Sequence, residues 1–336
     1  MATNKSFKIK RKDSVNFESL QSGIKNGDIS ALAKAITLTE SKLFEHNKLA
    51  NRLVSTNSEP SFKSLRIGIT GVPGVGKSTF IESFGKLVTE QGKKLAVLAI
   101  DPTSQQTGGS ILGDKTRMES LSKNADIFIR PSPAGNALGG VARTTRESII
   151  LCEAAGYNII LVETVGVGQS ETEVHSMVDF FMLLLLAGAG DELQGIKRGI
   201  MEMADLVIIN KADGKNVQKA KLAKNFIDSA LHYFPAKSSG WRVPTIISSA
   251  LENKGIEEIW ETCLRFENEM IESGNLQSRR KKQNLHWFHQ SLNNHLTQRI
   301  LNKPDVKSLI RDKELEIESG LISPFQASDQ VAELFI

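Results

Sequence analysis

Cysteine is nearly absent. The 336 residues hold two, Cys152 and Cys263, far apart and neither in a Cys-x-x-Cys pair. That excludes a disulfide framework, argues against a cysteine-held zinc ion, and points to a reducing cytoplasm. Apolar runs that could cross a bilayer are missing too. The most apolar, Phe180 to Ala187, is about half of what a helical span needs, so no membrane association is expected, and the run reads as a buried parallel strand. The start, Met1-Ala2-Thr3-Asn4-Lys5, carries no apolar signal core. A net charge of +4, from 42 basic and 38 acidic residues, is too even to argue for a nucleic-acid partner. Internal repeats and low-complexity segments are absent, and the six histidines are dispersed.

What is there is an ordinary globular composition, 40% hydrophobic and 24% charged, enough for a large core with appendages. Residues 1–60 read as helical: Asp28 is an N-cap, and Ile29, Leu32, Ala33 and Ile36 mark one face. Asn57-Ser58-Glu59-Pro60-Ser61 reads as a linker. From 61 to 275 short apolar runs alternate with amphipathic segments. The runs are Arg66–Thr70, Leu95–Asp101, Ile127–Arg130, Ile159–Glu163, Phe180–Ala187, Leu206–Asn210 and Thr245–Ser248. That alternation predicts a doubly wound α/β fold with a mostly parallel sheet covered on both faces. Trp241 and Trp260 are expected in its core or at its edge. From 276 to 336 the chain reads as helical again. The basic Arg279-Arg280-Lys281-Lys282, taken as a solvated stretch, leads into a helix with Leu285, Phe288, Leu292, Leu296 and Ile300 on one face, broken at Lys303-Pro304.

Gly71-Val72-Pro73-Gly74-Val75-Gly76-Lys77-Ser78-Thr79 has phosphate-loop spacing. An apolar strand precedes it, and Phe80, Ile81, Phe84, Leu87 and Val88 follow at helical spacing. Backbone N–H groups in such a turn cradle a polyphosphate at a helix N-terminus. Lys77 would reach the β- and γ-phosphates and Ser78 would hold Mg²⁺.

Asn210-Lys211-Ala212-Asp213, after the run Leu206–Ile209, is the Asn-Lys-x-Asp pattern that reads guanine. A carboxylate accepts from guanine N1–H and from its N2 amino group together, a pair that adenine does not offer. Ser248-Ser249-Ala250, running into Leu251, resembles the loop whose backbone contacts the guanine carbonyl. Glu163-Thr164-Val165-Gly166 is a switch of the Asp-x-x-Gly type with Glu in place of Asp. Glu163 would hold a Mg²⁺-bound water, and the Gly166 N–H would sense the γ-phosphate. Asp101 would hold another metal water or the attacking water; the alternative is that it caps the next helix, as strand-end acids often do. The water-orienting Gln that many small GTPases carry after the switch Gly is missing: Val167 stands there, with Gln169 two residues on. Slow hydrolysis is therefore expected until another group enters, with Asp114, Arg117, Gln169 and Lys197 as candidates.

Several further stretches stand together with these. They include Ala31-Leu32-Ala33-Lys34-Ala35-Ile36-Thr37-Leu38-Thr39-Glu40-Ser41, Ile100-Asp101-Pro102-Thr103-Ser104 and Gly108-Gly109-Ser110-Ile111-Leu112-Gly113-Asp114-Lys115-Thr116-Arg117-Met118. Arg130-Pro131-Ser132-Pro133, Leu138-Gly139-Gly140-Val141-Ala142, Glu163 to Glu171 and Gln194-Gly195-Ile196-Lys197 complete the set. From about Leu20 to about Trp260 the chain resembles the MeaB/ArgK family of GTPases, chaperones of adenosylcobalamin-dependent methylmalonyl-CoA mutase. The resemblance implies a SIMIBI-class GTPase domain, an N-terminal helical extension and a C-terminal arm for homodimerisation. It also implies that GTP hydrolysis to GDP and phosphate gates the loading of adenosylcobalamin into the mutase and the removal of damaged cofactor. Carried onto this chain, Lys77 and Ser78 become phosphate and Mg²⁺ ligands, and Asp101, Asp114 and Glu163 the acids around Mg²⁺ and water. Glu163 to Glu171 becomes the second switch. Asp191 to Lys197 falls in a further switch that answers the mutase, with Lys197 as activating group. The stretch after Arg279 matches the family least.

The resemblance implies that the cofactor is bound by the partner mutase; consistent with that, no Asp-x-His-x-x-Gly pattern for cobalamin ligation is present. One alternative is a metal-delivery GTPase of the same superfamily; His286, His289 and His295 are its nearest candidates, and they read as solvent-facing helix residues. The other is a small-molecule kinase of the arginine/ornithine transport type. His175 reads as an ordinary helix-surface histidine.

Overall fold

A computed structural model describes residues 16–41, 43–58, 64–101, 119–133, 138–164, 170–187 and 198–335. Three helices come first: α1 (Phe17–Lys25), α2 (Ile29–Thr39) and α3 (Phe44–Thr56). Asp28 caps α2 as expected, its carboxylate accepting from the Ser30 N–H at 2.8 Å. The buried face of α2 is rotated from the expected one. Ala31, Leu32, Ala35, Ile36 and Leu38 are buried, whereas Ile29 is 41% exposed. The cause is that α1, α3 and α6 (Leu138–Ala154) all pack on α2, which makes its inward face broader than one stripe. Asn57, expected in a linker, instead clasps α1: it exchanges amide hydrogen bonds with Gln21 at 2.8 and 3.0 Å.

Seven strands follow: β1 (Leu65–Gly71), β2 (Leu95–Asp101), β3 (Ile127–Pro133), β4 (Ile159–Thr164), β5 (Phe180–Leu186), β6 (Leu206–Asn210) and β7 (Thr245–Ile247). They form one parallel sheet in the order β3-β2-β4-β1-β5-β6-β7. Each apolar run of the sequence is a strand, and the fold is the doubly wound α/β one expected. The central strand, β1, is buried at every residue, as a strand covered on both faces must be.

The remaining helices are α4 (Lys77–Glu90), α5 (Glu119–Ser122), α7 (Ser170–His175), α8 (Arg198–Met203), α9 (Val217–His232) and α10 (Ile256–Glu272), then α11 (Asn275–Leu301), α12 (Pro304–Glu318) and α13 (Pro324–Ala332). On one face of the sheet α4 meets α10 through aromatic side chains. Phe80 stacks on Phe84, and Phe84 meets the edge of Trp260 with centroids 5.8 Å apart. Phe266 packs on Phe180 and Trp241 at 4.7 and 5.0 Å, so both tryptophans do lie in the core. On the other face α7 lies close enough that a Cβ at Gly68 would sit 2.7 Å from Phe181 and 3.0 Å from Val174 and Val178. Only glycine fits there.

The chain divides into two compact units, Met1–Arg279 and Arg280–Ile336. In the smaller unit α12 packs on α13, whose first turn is closed by a Ser323–Gln326 capping box. Leu285, Phe288, Leu292 and Leu296 on α11 are exposed, as are His286 and His289. Among the described residues no helix is long and apolar enough to cross a membrane.

Two expectations about polar residues fail together. The basic run Arg279–Lys282 does not precede a helix: α11 begins at Asn275, directly after Gly274 with φ +70°. Nor is Arg279 solvated. Its guanidinium donates to Asp205 Oδ2 at 3.4 Å and to His175 Nε2 at 3.1 Å. His175 is therefore no plain surface histidine; its ring also stands edge-on to Phe181 at 5.6 Å. Asp205, 1% exposed, accepts from the Phe181 N–H at 3.0 Å and pairs with Lys237. A guanidinium has only donors, so His175 Nε2 is the acceptor and the ring is neutral with its proton on Nδ1.

Burial, and then the adjoining Arg279, push the His175 pKa down to about 4; Asp205 pulls it up and Lys237 down. An unfolded histidine titrates near 6.5, so between those values the unfolded chain holds more protons than the folded one. Stability should thus fall as pH drops from about 6.5 toward 4. We expect the urea midpoint to fall more steeply from about pH 7 to about pH 5 in the parent than in His175→Gln; parallel slopes would show that this ring titrates normally.

Candidate functional site

The carboxyl ends of β1, β4 and β6 bring the motifs together, at the edge where open parallel sheets place ligands. β1 ends at Gly71, and the chain turns through Val72 to Gly76 into α4, which starts at Lys77. The turn needs its glycines for separate reasons. A Cβ on Gly71 would lie 2.6 Å from the Leu184 carbonyl oxygen of β5. Gly74 and Gly76 have φ of +79° and +91°, in the left-handed region that side chains avoid. A Cβ on Gly76 would also come within 3.0 Å of Asn210 Nδ2. Val75 is fully buried and anchors the turn, while Pro73 and Thr79 are exposed and Ser78 half-buried.

Lys77 is buried, and its ammonium folds back to donate to the Gly71 carbonyl oxygen at 2.9 Å. Burial pushes its pKa below the usual lysine range, while the carboxylates of Glu163 and Glu171 pull it back up. Glu163 stands on β4 beside Ile69 of β1 and is 6% exposed. Glu171, 1% exposed, stands in the first turn of α7. One loop lysine thus faces two buried acids, a field suited to a cation or to a polyphosphate that brings its own cations. The Thr164 hydroxyl donates to Thr70 Oγ1 at 2.8 Å, stitching the ends of β4 and β1 together. The pairing of Thr164 with Thr70 is not legible in the sequence, whereas Glu171 is the last residue of the second switch that the resemblance implies.

The third corner is set by Asn210, the last residue of β6 and buried. Its Nδ2 donates to the Val75 carbonyl oxygen of the phosphate loop at 2.9 Å. Its Oδ1 accepts from the Ser248 hydroxyl at 3.2 Å and from the Ala250 N–H at 3.3 Å. Lys211 follows in the left-handed region, φ 58°, with its Cε 3.5 Å from where a Cβ on Gly76 would be. Asp213 accepts from the Ser249 hydroxyl at 2.8 Å, and Ser249 Oγ in turn accepts from the Glu252 N–H at 3.2 Å. The Ser83 hydroxyl of α4 donates to the Ala250 carbonyl oxygen at 2.6 Å. Leu251 is 77% exposed beside this loop. Gly255 closes it: with φ +75°, its Cβ would strike the Ile247 carbonyl oxygen at 2.4 Å.

Of the residues singled out from sequence, the phosphate-loop residues, Glu163, Asn210, Lys211, Asp213, Ser249, Ala250 and Leu251 all lie in these elements. Asp101 ends β2, next to β4 in the sheet. Asp114, Arg117, Gly166, Gln169 and Lys197 lie outside the described residues. Asn210→Ala strips a buried carbonyl and a buried hydroxyl of their shared partner, at a cost of about 1–3 kcal/mol. Urea unfolding should register that loss; an unchanged midpoint would mean that water substitutes for the amide.

Comparisons with known proteins agree with this geometry. Residues 32–305 match the family described as "Methylmalonyl Co-A mutase-associated GTPase MeaB". The "GTPase ArgK" of Escherichia coli K12 is 44% identical over 310 residues, covering 92% of this chain and 94% of that protein. The "Methylmalonic aciduria type A homolog, mitochondrial" of Mus musculus is 45% identical over 326 residues, 94% of this chain and 79% of that one. Among solved structures, a "LAO/AO transport system kinase" superposes with a TM-score of 0.74 at 36% identity, over 97% of this chain and 99% of that chain. A phosphate loop joined through Asn210 to a second reading loop, on a seven-stranded parallel sheet, and a match over most of its length make this chain a member of the MeaB family of GTPases.

Proposed function

We propose that this protein is a GTP hydrolase that serves as chaperone to an adenosylcobalamin-dependent acyl-CoA mutase, methylmalonyl-CoA mutase above all. Hydrolysis of GTP to GDP and phosphate gates cofactor loading and the rescue of mutase that has lost or damaged its cofactor. The observation that carries the nucleotide reading is the Asn210 side chain, which holds the phosphate loop and the 248–251 loop in one hydrogen-bonded unit. Polyphosphate and base are then gripped by parts that move together, as a switch requires. The family match and the mouse relative's name support the mutase as partner.

In this reading the backbone from Gly71 to Thr79 cradles the phosphates, and Lys77 leaves the Gly71 carbonyl to meet the β- and γ-oxygens. Asp213 accepts from guanine N1–H and N2–H₂, with Lys211 lying along the base and the Ser249 to Leu251 backbone donating to its carbonyl. The Ser78 hydroxyl and the carboxylates of Glu163 and Asp101 are hard oxygen donors that suit Mg²⁺. Bound there, Mg²⁺ neutralises charge on the phosphate oxygens. Gly166 senses the γ-phosphate, and Asp114, Arg117, Gln169 and Lys197 supply the groups that orient water or offset charge. The exposed Leu285, Phe288, Leu292 and Leu296 face of α11 supports pairing with a second copy. Both cysteines are free and buried, in keeping with a reducing cytoplasm.

Lys77→Ala should abolish GTP binding in a fluorescent-nucleotide titration, and retained affinity would refute the phosphate role. Turnover of GTP, measured with and without purified acyl-CoA mutases, should rise at least ~10-fold with the cognate one, well below the ~10³ to 10⁵ that an activating group can supply. Lys197→Ala should keep the basal rate and lose the stimulation. A chain that neither binds nor responds to any such mutase is no mutase chaperone.

A further inference from the structure

Switch helix α7 runs from the nucleotide edge of the sheet toward the opposite one. It starts at Ser170, with buried Glu171 acting on Lys77, and ends at His175, separated from β5 by residues 176–179. Two arginines from distant stretches hold it. Arg146 of α6 donates to Glu173 Oε2 at 3.4 Å and to Ser176 Oγ at 3.2 Å. Arg279 of α11 donates to His175 Nε2 at 3.1 Å, and its other arm rests on Asp205 at 3.4 Å. Asp205 is itself fixed by Lys237 and by the Phe181 N–H, so the anchor does not depend on α7. Trp241 donates its indole N–H to the Asp205 carbonyl oxygen at 2.8 Å. The Arg279–His175 hydrogen bond joins this fixed anchor to the helix end.

We propose that Arg279 and His175 are positioning residues of the GTPase cycle: the hydrogen bond between them holds the carboxyl end of α7, and through α7 the first turn of α11 biases how firmly the nucleotide is held. The inference rests on the GTPase reading above and adds to it a control point at the far edge of the sheet from the phosphates. The chemistry suits a latch. A neutral imidazole accepting from a guanidinium makes one directional bond, stronger than a neutral pair and weaker than a buried ion pair. It can therefore break and re-form without stranding a buried charge, because Asp205 keeps its other donors. Arg279 sits near the start of α11, so any displacement of that part of the helix moves the latch.

The test uses the full chain and four variants. His175→Phe keeps a ring against Phe181 and removes the acceptor; His175→Gln restores an acceptor near Nε2. Arg279→Ala removes the donor, and the double variant closes a mutant cycle with His175→Phe. Release of fluorescent GDP should quicken by ~5-fold or more in His175→Phe and in Arg279→Ala, within the usual range for coupled sites. The double variant should be no faster than either, and His175→Gln should return most of the way to the parent. Hydrogen exchange read without nucleotide should show faster exchange at Glu171–Ser176 in His175→Phe and in Arg279→Ala, and parent rates in β1 and β5. Parent-like GDP release with parent-like α7 exchange, or effects that add in the double variant, would overturn the latch. A parent chain that binds no guanine nucleotide would instead sink the GTPase reading, and the exchange data would still decide whether α7 is held from Arg279.

Discussion

One side-chain amide holds the site together. Asn210 spends its donor on the phosphate loop and its acceptor on the 248–250 segment, and it is buried while doing so. An amide is suited to that position because it alone among side chains of this size offers a donor and an acceptor in one rigid plane. A carboxylate would put oxygen against the Val75 carbonyl, and an aliphatic group would leave two loops with buried polar atoms unmet. The glycines around it make the approach possible: Gly76 admits the amide itself, and Gly255 lets the chain turn back beside Ile247. The geometry of β1, β6 and β7 thus fixes the phosphate loop against the 248–250 segment.

Around that amide the charges are arranged in layers. Lys77 faces Glu163 and Glu171, and its ammonium donates a hydrogen bond to the Gly71 carbonyl of its own loop. Toward the opposite sheet edge a second set, Asp205 with Lys237, Arg279 and His175, gathers around a buried carboxylate. Helix α7 reaches from one set to the other. A third pair, Arg66 with Glu153 at 2.8 Å, ties the start of β1 to the end of α6. Both partners are nearly dry, and Glu153 also accepts from the Ser64 hydroxyl at 2.5 Å. The sheet is apolar where it is thickest and ionic where elements must keep a fixed relation.

Legibility in the sequence follows the range of the interactions. The phosphate loop, the Asn-Lys-x-Asp tetrad and the strands are written in adjacent residues, and each is readable from spacing alone. Even the extra strand residues, such as Ser132 and Pro133 in β3, differ only at boundaries where hydrogen bonding outlasts hydrophobicity. His175 and Arg279 are misread from sequence because their meaning lies in each other, 104 residues apart. A histidine on a helix looks the same in a sequence whether a guanidinium waits beside it or water does. Arg279 is hidden further by its basic neighbours, which suggest a solvated run. The turned face of α2 escapes for a related reason: three packing partners blur the single stripe that periodicity looks for. Asn57 likewise shows linker chemistry locally and a clasp only when Gln21 is brought to it.

The strand order has a consequence for how the chain is made. β1 lies between β4 and β5, with Leu65 paired to Ile159 and Gly71 to Leu184. A ribosome therefore delivers the central strand of the sheet well before either of its neighbours exists. At ordinary elongation rates that interval is on the order of ten seconds, during which this apolar strand has two open hydrogen-bonding edges. The nascent chain thus carries an apolar strand with unpaired edges before β4 and β6, which complete the site, are made.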